Sequence, residues 1–143
     1  MAVIDRLAPL RAHAGRRRTQ GLDDATIVRF AARHAELIEA IEAAEQEYQR
    51  LREEFAELLD LDEDAQVHAV QAGYVNFYPD DAVNPYVALA ARGPWVVTLK
   101  GAVLHDSGGY GMLGFGHASK PLIGGMARPR ATGHNTEPSQ AQE

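Results

Sequence analysis

Most of the side chains that could do chemistry crowd into one run, TLKGAVLHDSGGYGMLGFGHASK, residues 98 to 120. His105, Asp106, Ser107 and His117 lie here, with both of the chain's lysines, Lys100 and Lys120. Gly109, Gly111 and Gly114 spell G-x-G-x-x-G. A dinucleotide site needs a strand before such glycines, a helix starting inside them, and an acid about 20 residues on at a second parallel strand. AVLHD can supply the first strand, but Gly114 and Gly116 fall where the helix would begin. No strand carrying an acid follows, and Glu137 sits in a polar tail. A P-loop requires G-K-[ST], which is absent. The glycines therefore do not read as a phosphate cradle.

The polar residues of the run read as modestly. Zinc sites commonly draw two closely spaced ligands from one element. His105 and Asp106 are adjacent on an expected strand, so they point to opposite faces. A hydrogen-bonded polar pair at a strand end is the expectation, and no metal ligands are assigned. Ser107 lacks the G-x-S-x-G elbow of a strained nucleophile. Cysteine is absent, which excludes disulfides, thiolate metal sites and a cysteine nucleophile.

The elements that must position this run can be read by periodicity. Ile27, Phe30, His34, Leu37, Ile41, Ala44, Tyr48, Leu51, Phe55 and Leu58 recur at alternating spacings of three and four. That spacing places all ten on one helical stripe, with Glu36, Glu39, Glu42 and other charged residues between them. Asp23 is placed to cap the start, and Leu22 and Ile27 form a hydrophobic staple. No Gly or Pro intervenes before Gly73, so the expectation is one helix over 23–60, about 36 residues or ~54 Å. A stripe of that length needs a long partner, either a second copy in a coiled coil or a larger body.

Further on, LDEDAQVHAVQAG reads as a short helix starting at Asp62 or Asp64 and stopped at Gly73. YVNFY reads as extended, PDDAVNP as a loop, and PYVALAARG as one or two helical turns. WVVTL and AVLHD flank a Lys-Gly link, the pattern of a hairpin with Gly101 at positive φ. KPLIGGMARPR forms at most a weak helix because of Gly124 and Gly125. The expected fold class is α+β. A mobile leader over 1–22 is followed by a helical segment over 23–73, the hairpin and glycine-loop segment over 74–127, and a disordered tail over 128–143.

The totals set the class. At 143 residues and 45% hydrophobic the chain suits one globular domain. A net charge of −6 argues against nonspecific nucleic-acid binding, although Arg16, Arg17 and Arg18 form a small basic run. No apolar run is long enough for a membrane helix, and the first 20 residues lack an h-region with a cleavage site. A cytoplasmic protein without membrane or nucleic-acid partners is the expectation.

One resemblance gathers these pieces. GPWVVTLKGAVLHDSGGYGMLGFGH is similar to the N-terminal region of class III pyridoxal-phosphate-dependent aminotransferases, the ornithine and 4-aminobutyrate type. Gly93, Gly101, Asp106, Tyr110, Gly116 and His117 follow the family's order: Gly, strand, Gly turn, strand ending in Asp, small-residue loop with an aromatic, then Gly-His. The similarity covers about residues 85 to 130. Thr98 stands where the family often has Asp, Lys120 where it often has Pro, and Gly124-Gly125 interrupts the helix expected next.

The resemblance implies the N-terminal portion of a fold-type I enzyme that moves an amino group from an amino acid or amine to a 2-oxo acid. It implies that the glycine loop passes the active-site mouth, with Tyr110, flanked by Gly109 and Gly111, toward the substrate. Asp106, Gly116 and His117 would be structural. The lysine that would carry pyridoxal phosphate lies far downstream in the family, and neither Lys100 nor Lys120 matches it. The chain is then expected to be a truncated product, fragment or split subunit, with no catalytic residue of its own and no cofactor binding alone. Its partner would be a second copy or the missing C-terminal portion. The alternative from the helical pattern is a small interaction protein that self-associates or binds a partner through the 23–60 stripe.

Overall fold

The computed structural model describes residues 2–75, 85–107 and 114–127. The protein is mixed α and β. The described elements are α1 (Val3–Arg11), α2 (Asp24–Ala31), α3 (Ala35–Glu54), α4 (Ala56–Leu59), α5 (Glu63–Gln71), β1 (Ala88–Arg92), β2 (Trp95–Thr98), β3 (Val103–His105) and α6 (Lys120–Met126). The three strands form an antiparallel meander in the order β1-β2-β3. α3 packs across β1 and β2, and α1 packs on α3.

The expected single helix over 23–60 is three helices. α2 ends at Ala31, His34 is extended at φ −126° and ψ 97°, and α3 begins at Ala35. A second break falls at Phe55, at φ −142° and ψ 47°. Part of the stripe survives the breaks, while His34 and Phe55 are exposed. Ile27, Leu37, Ile41 and Ala44 are buried in one cluster with Leu7, Trp95, Val97 and Val103. Apolar periodicity records which face is buried, not whether the axis is straight. Here the axis turns at 32–34, and the rings of Phe30 and His34 lie 5.5 and 5.7 Å from that of Trp95. A straight helix would carry its stripe past so small a sheet.

The start of α2 follows the sequence reading. The Asp23 side chain accepts from the Thr26 amide at 2.8 Å, and Leu22 packs against the core. Those hydrogen bonds with Thr26 hold the Asp23 carboxyl below its ordinary value. α5 begins after Asp62 and ends before Gly73, which takes φ +85°.

Two further expectations are corrected. The leader expected to be mobile is structured over Val3–Arg11, which is helical, with Leu7 and Leu10 buried and Val3 and Ile4 packed on the core. The spacing 3, 4, 7, 10 is an amphipathic stripe of its own. PYVALAARG is not helical at its end: Ala88–Arg92 is β1, paired with β2. Alternation is weak in this alanine-rich stretch, and pairing with WVVT decides its state.

The β2–β3 hairpin forms as expected, with Trp95 opposite His105 and Val97 opposite Val103. Its turn runs through Leu99, Lys100 and Gly101, longer than the two-residue link, and Gly101 takes φ +71°. The turn lies beneath α1. Arg11 Nε donates to Gly101 O at 2.9 Å, and a Cβ on Gly101 would lie 2.8 Å from Arg11 Cγ. Among the described residues no helix is long and apolar enough to cross a membrane. The expected tail over 128–143 and residues 76–78 of YVNFY lie outside the described residues.

Candidate functional site

At the other end of the same hairpin the sheet opens to solvent. Gly93 and Pro94 make the turn between β1 and β2, and Asp106 follows β3. Asp106 N donates to Pro94 O at 2.7 Å. The 114–119 segment crosses this end and pairs with it in both directions. Gly93 N donates to His117 O at 2.9 Å, and His117 N donates to Gly93 O at 2.7 Å.

Glycine is required where the two backbones meet. Gly116 takes φ +72°, and a Cβ there would lie 2.7 Å from Gly93 Cα. Gly93 takes φ +52°, and its Cβ would lie 2.7 Å from Glu36 Oε2. Close approach of backbone to backbone is the demand Gly116 serves, and the positive φ is the demand at Gly93. Ala118, next to His117, takes φ +50°, an uncommon conformation for a residue with a side chain and a local source of strain.

The approach brings Asp106 and His117 together, with Asp106 Oδ2 2.9 Å from His117 Nε2. An ionised carboxylate only accepts, so Nε2 carries the hydrogen. This contact fixes the imidazole ring and ties the end of β3 to the crossing segment. His105 goes elsewhere: its ring meets Trp95 edge-on at 4.9 Å. The polar pair at this strand end is thus Asp106 with His117 rather than with its neighbour His105. No group of three or more His, Cys, Asp or Glu side chains among the described residues could hold a metal ion.

Two cavities flank the His117 segment. One of about 400 Å³ is lined by Glu36, Glu39, Arg92, Phe115, His117 and Lys120, among others. The second, about 420 Å³, is lined by Glu36, Pro94, Asp106, Ser107, Phe115 and His117, among others. Lys120 Nζ donates to Glu39 Oε1 at 3.0 Å across the rim of the first. Phe115 is 79% exposed. Glu36, Arg92 and Phe115 were not singled out from sequence. Glu36 reads there as one more charge on a solvated helix face, and only the turn of the chain at 32–34 places it under Gly93. Phe115 carried the one available signal, an aromatic between two glycines. Tyr110, Gly109 and Gly111 lie outside the described residues.

The described residues do not fit a resident pyridoxal phosphate. Lys100, 3% exposed, donates through Nζ to Ala14 O at 2.5 Å and to Leu59 O at 3.0 Å, away from both cavities. Burial pushes its pKa down from 10.5, against the pull of Asp60, Asp62 and Glu63. Lys120 is the only lysine at the cavities, and Glu39 occupies it. The carboxylates of Glu36 and Glu39 offset the cations Arg92 and Lys120, so the first cavity is no phosphate cradle. No chemical step is derived through that group. Comparisons with family models, with curated proteins and with solved structures return no match for this chain.

Proposed function

We propose that this chain is the N-terminal segment of a class III pyridoxal-phosphate-dependent aminotransferase, and that it is catalytically silent by itself. The observation that carries the reading is the use made of the family-like residues. Gly93, Gly116, Asp106 and His117 are scattered over 25 positions, yet they meet at one end of one hairpin. Gly101 turns the same hairpin at its other end.

In the complete enzyme the cofactor would act as electron sink while an amino group passes from an amino acid or amine to a 2-oxo acid. This segment would supply the scaffold of α1–α3 and the loop that carries Tyr110 past the mouth. His117 would hold that loop in place rather than move protons. Such a protein would work in the cytoplasm, as a dimer or with the polypeptide that bears the lysine.

The reading is tested on the coding DNA and on the protein. DNA downstream of the segment should encode, in some frame, a continuation with a strand-borne lysine; its absence in every frame removes the proposal. Pyridoxal phosphate added to the purified chain should give no saturable aldimine absorbance. The alternative reading, association through the 23–60 stripe, needs that stripe at the surface. Ile27, Leu37, Ile41, Ala44 and Tyr48 are buried within the chain, while His34 and Phe55 of the same stripe are exposed.

A further inference from the structure

The buried end of the molecule holds a polar assembly that the proposed function does not use. Residues 13–19, between α1 and α2, lie against 59–64 at the start of α5. Glu63, 1% exposed, accepts through Oε2 from the amides of Arg18 and Thr19, both at 2.7 Å. Its own amide donates back to Arg16 O at 3.0 Å. Asp62 Oδ1 accepts from Arg16 N at 2.6 Å, and Asp60 Oδ1 accepts from Ala14 N at 3.2 Å. Arg18 pairs with Asp64 at 2.8 Å, and His13 lies between Asp60 and Tyr48, 2.9 Å from each.

The carboxylates of 60–63 therefore satisfy amides of 14–19, and one backbone bond, Glu63 N to Arg16 O, runs the other way. Such bonds cannot open on one side alone. Releasing Glu63 frees the amides of Arg18 and Thr19 in the same event that loosens the first turn of α5. Beneath the assembly lies Lys100, whose ammonium donates to one carbonyl from each segment, Ala14 O and Leu59 O. Lys100 reaches that position from the hairpin turn, so it joins the paired segments to the sheet. Leu10, Tyr48 and Leu99 form the apolar floor, against which Leu59 of the second segment is buried.

We infer that residues 13–19 and 59–71 form a single latch, keyed by Glu63, whose opening as one unit uncovers Lys100 while the sheet and α3 stay folded. Units of this kind open locally below the free energy of global unfolding. The inference goes beyond the proposed function and does not rest on it, because it involves the end of the hairpin opposite the cavities.

The chain carries its own reporters, since Lys100 and Lys120 are its only lysines. The Lys120 side chain is 76% exposed and serves as the reference. Full-length protein is treated with trace acetic anhydride, and acetylation at each lysine is followed by mass spectrometry, beside amide hydrogen exchange. Acetylation of Lys100 should be at least roughly tenfold slower than that of Lys120. Glu63→Ala should raise it by on the order of tenfold or more, because the half-buried amides of Arg18 and Thr19 lose their acceptor. Arg18, Thr19 and the α5 amides should speed up by the same factor while β2 and β3 amides do not change. Equal acetylation of the two lysines in the unaltered chain would overturn the inference. So would a Lys100 rate that ignores Glu63→Ala, or acceleration of every amide alike. If Glu63→Ala does not fold, exchange of the unaltered chain in low urea decides. One shared opening curve for 16–19 and 63–71, below that of the hairpin, supports the latch. Separate curves, or merger with global unfolding, sink it.

Discussion

The two ends of the β2–β3 hairpin are built from similar residues and end in opposite environments. At the turn end Gly101 fits beneath α1 and Lys100 is sealed from water. At the open end Gly93 and Gly116 fit against each other, and the neighbouring polar groups line cavities. Both ends use glycine for a close approach, and both carry a cationic side chain near carboxylates. What separates them is the element laid across the end. A helix with Leu7 and Leu10 excludes water; a short extended segment joined by two backbone hydrogen bonds does not. The difference shows that a lysine's access to water is set by what covers it.

The largest expected effect would break both ends at once. Trp95 sits on β2 between them, 2% exposed, against the rings of Phe30, His34 and His105. Trp95→Ala should cost about 3–5 kcal/mol in urea unfolding, the range for emptying an aromatic core site. A loss under about 1 kcal/mol would mean that this core does not unite the two ends. Next, Gly116→Ala should cost about 1–3 kcal/mol, because the new Cβ meets backbone at a positive φ. Its signature is local: the amides of Gly93 and His117 lose protection together, while those of the buried turn do not.

The buried end should answer to alkali in a characteristic sense. The folded pKa of Lys100 lies below its ordinary value of 10.5, so between the two the unfolded chain binds the extra proton. Stability therefore rises with pH through that window as far as Lys100 is concerned. The urea midpoint of the unaltered chain minus that of Lys100→Met should climb from pH 8 toward 11; a fall would place the charged form as the favoured one.

Acid tests the latch beside it. The hydrogen bond from His13, with that from Ala14 N, holds the Asp60 carboxyl below its ordinary 3.8. Its stabilisation is present above 3.8 and is lost as pH falls through the lower folded value. Asp60→Asn should remove that part of the acid loss from the urea midpoint profile. The smallest effect belongs to the open end, where Lys120→Ala, which removes an exposed ion pair, should stay within about 0.5 kcal/mol.

Legibility in the sequence divides along the same line. The cap at Asp23, the bounds of α5 and the hairpin were readable because each depends on residues close along the chain. The buried face of the 27–48 stripe was readable for the same reason. The breaks at His34 and Phe55 were not, since no glycine or proline marks them; the first serves contacts with Trp95, some 60 positions away. The leader was misjudged because three arginines dominate its appearance, while Leu7 and Leu10 fix its position. Of the candidate site, Asp106, Gly116 and His117 were named from the run itself. Glu36 and Arg92 join it only through folding.

By itself the sequence determined the mixed α and β class, the turn at Gly101, the cap of α2 and the helical face that is buried. These follow from local sterics, hydrogen bonding and periodicity. Only the tertiary structure decided that Asp106 meets His117, that Glu63 closes on residues 16–19, and that Lys100 is sealed. The physical reason is that these groups gain or lose water according to what packs over them. That depends on where distant helices lie, which no short window of residues specifies.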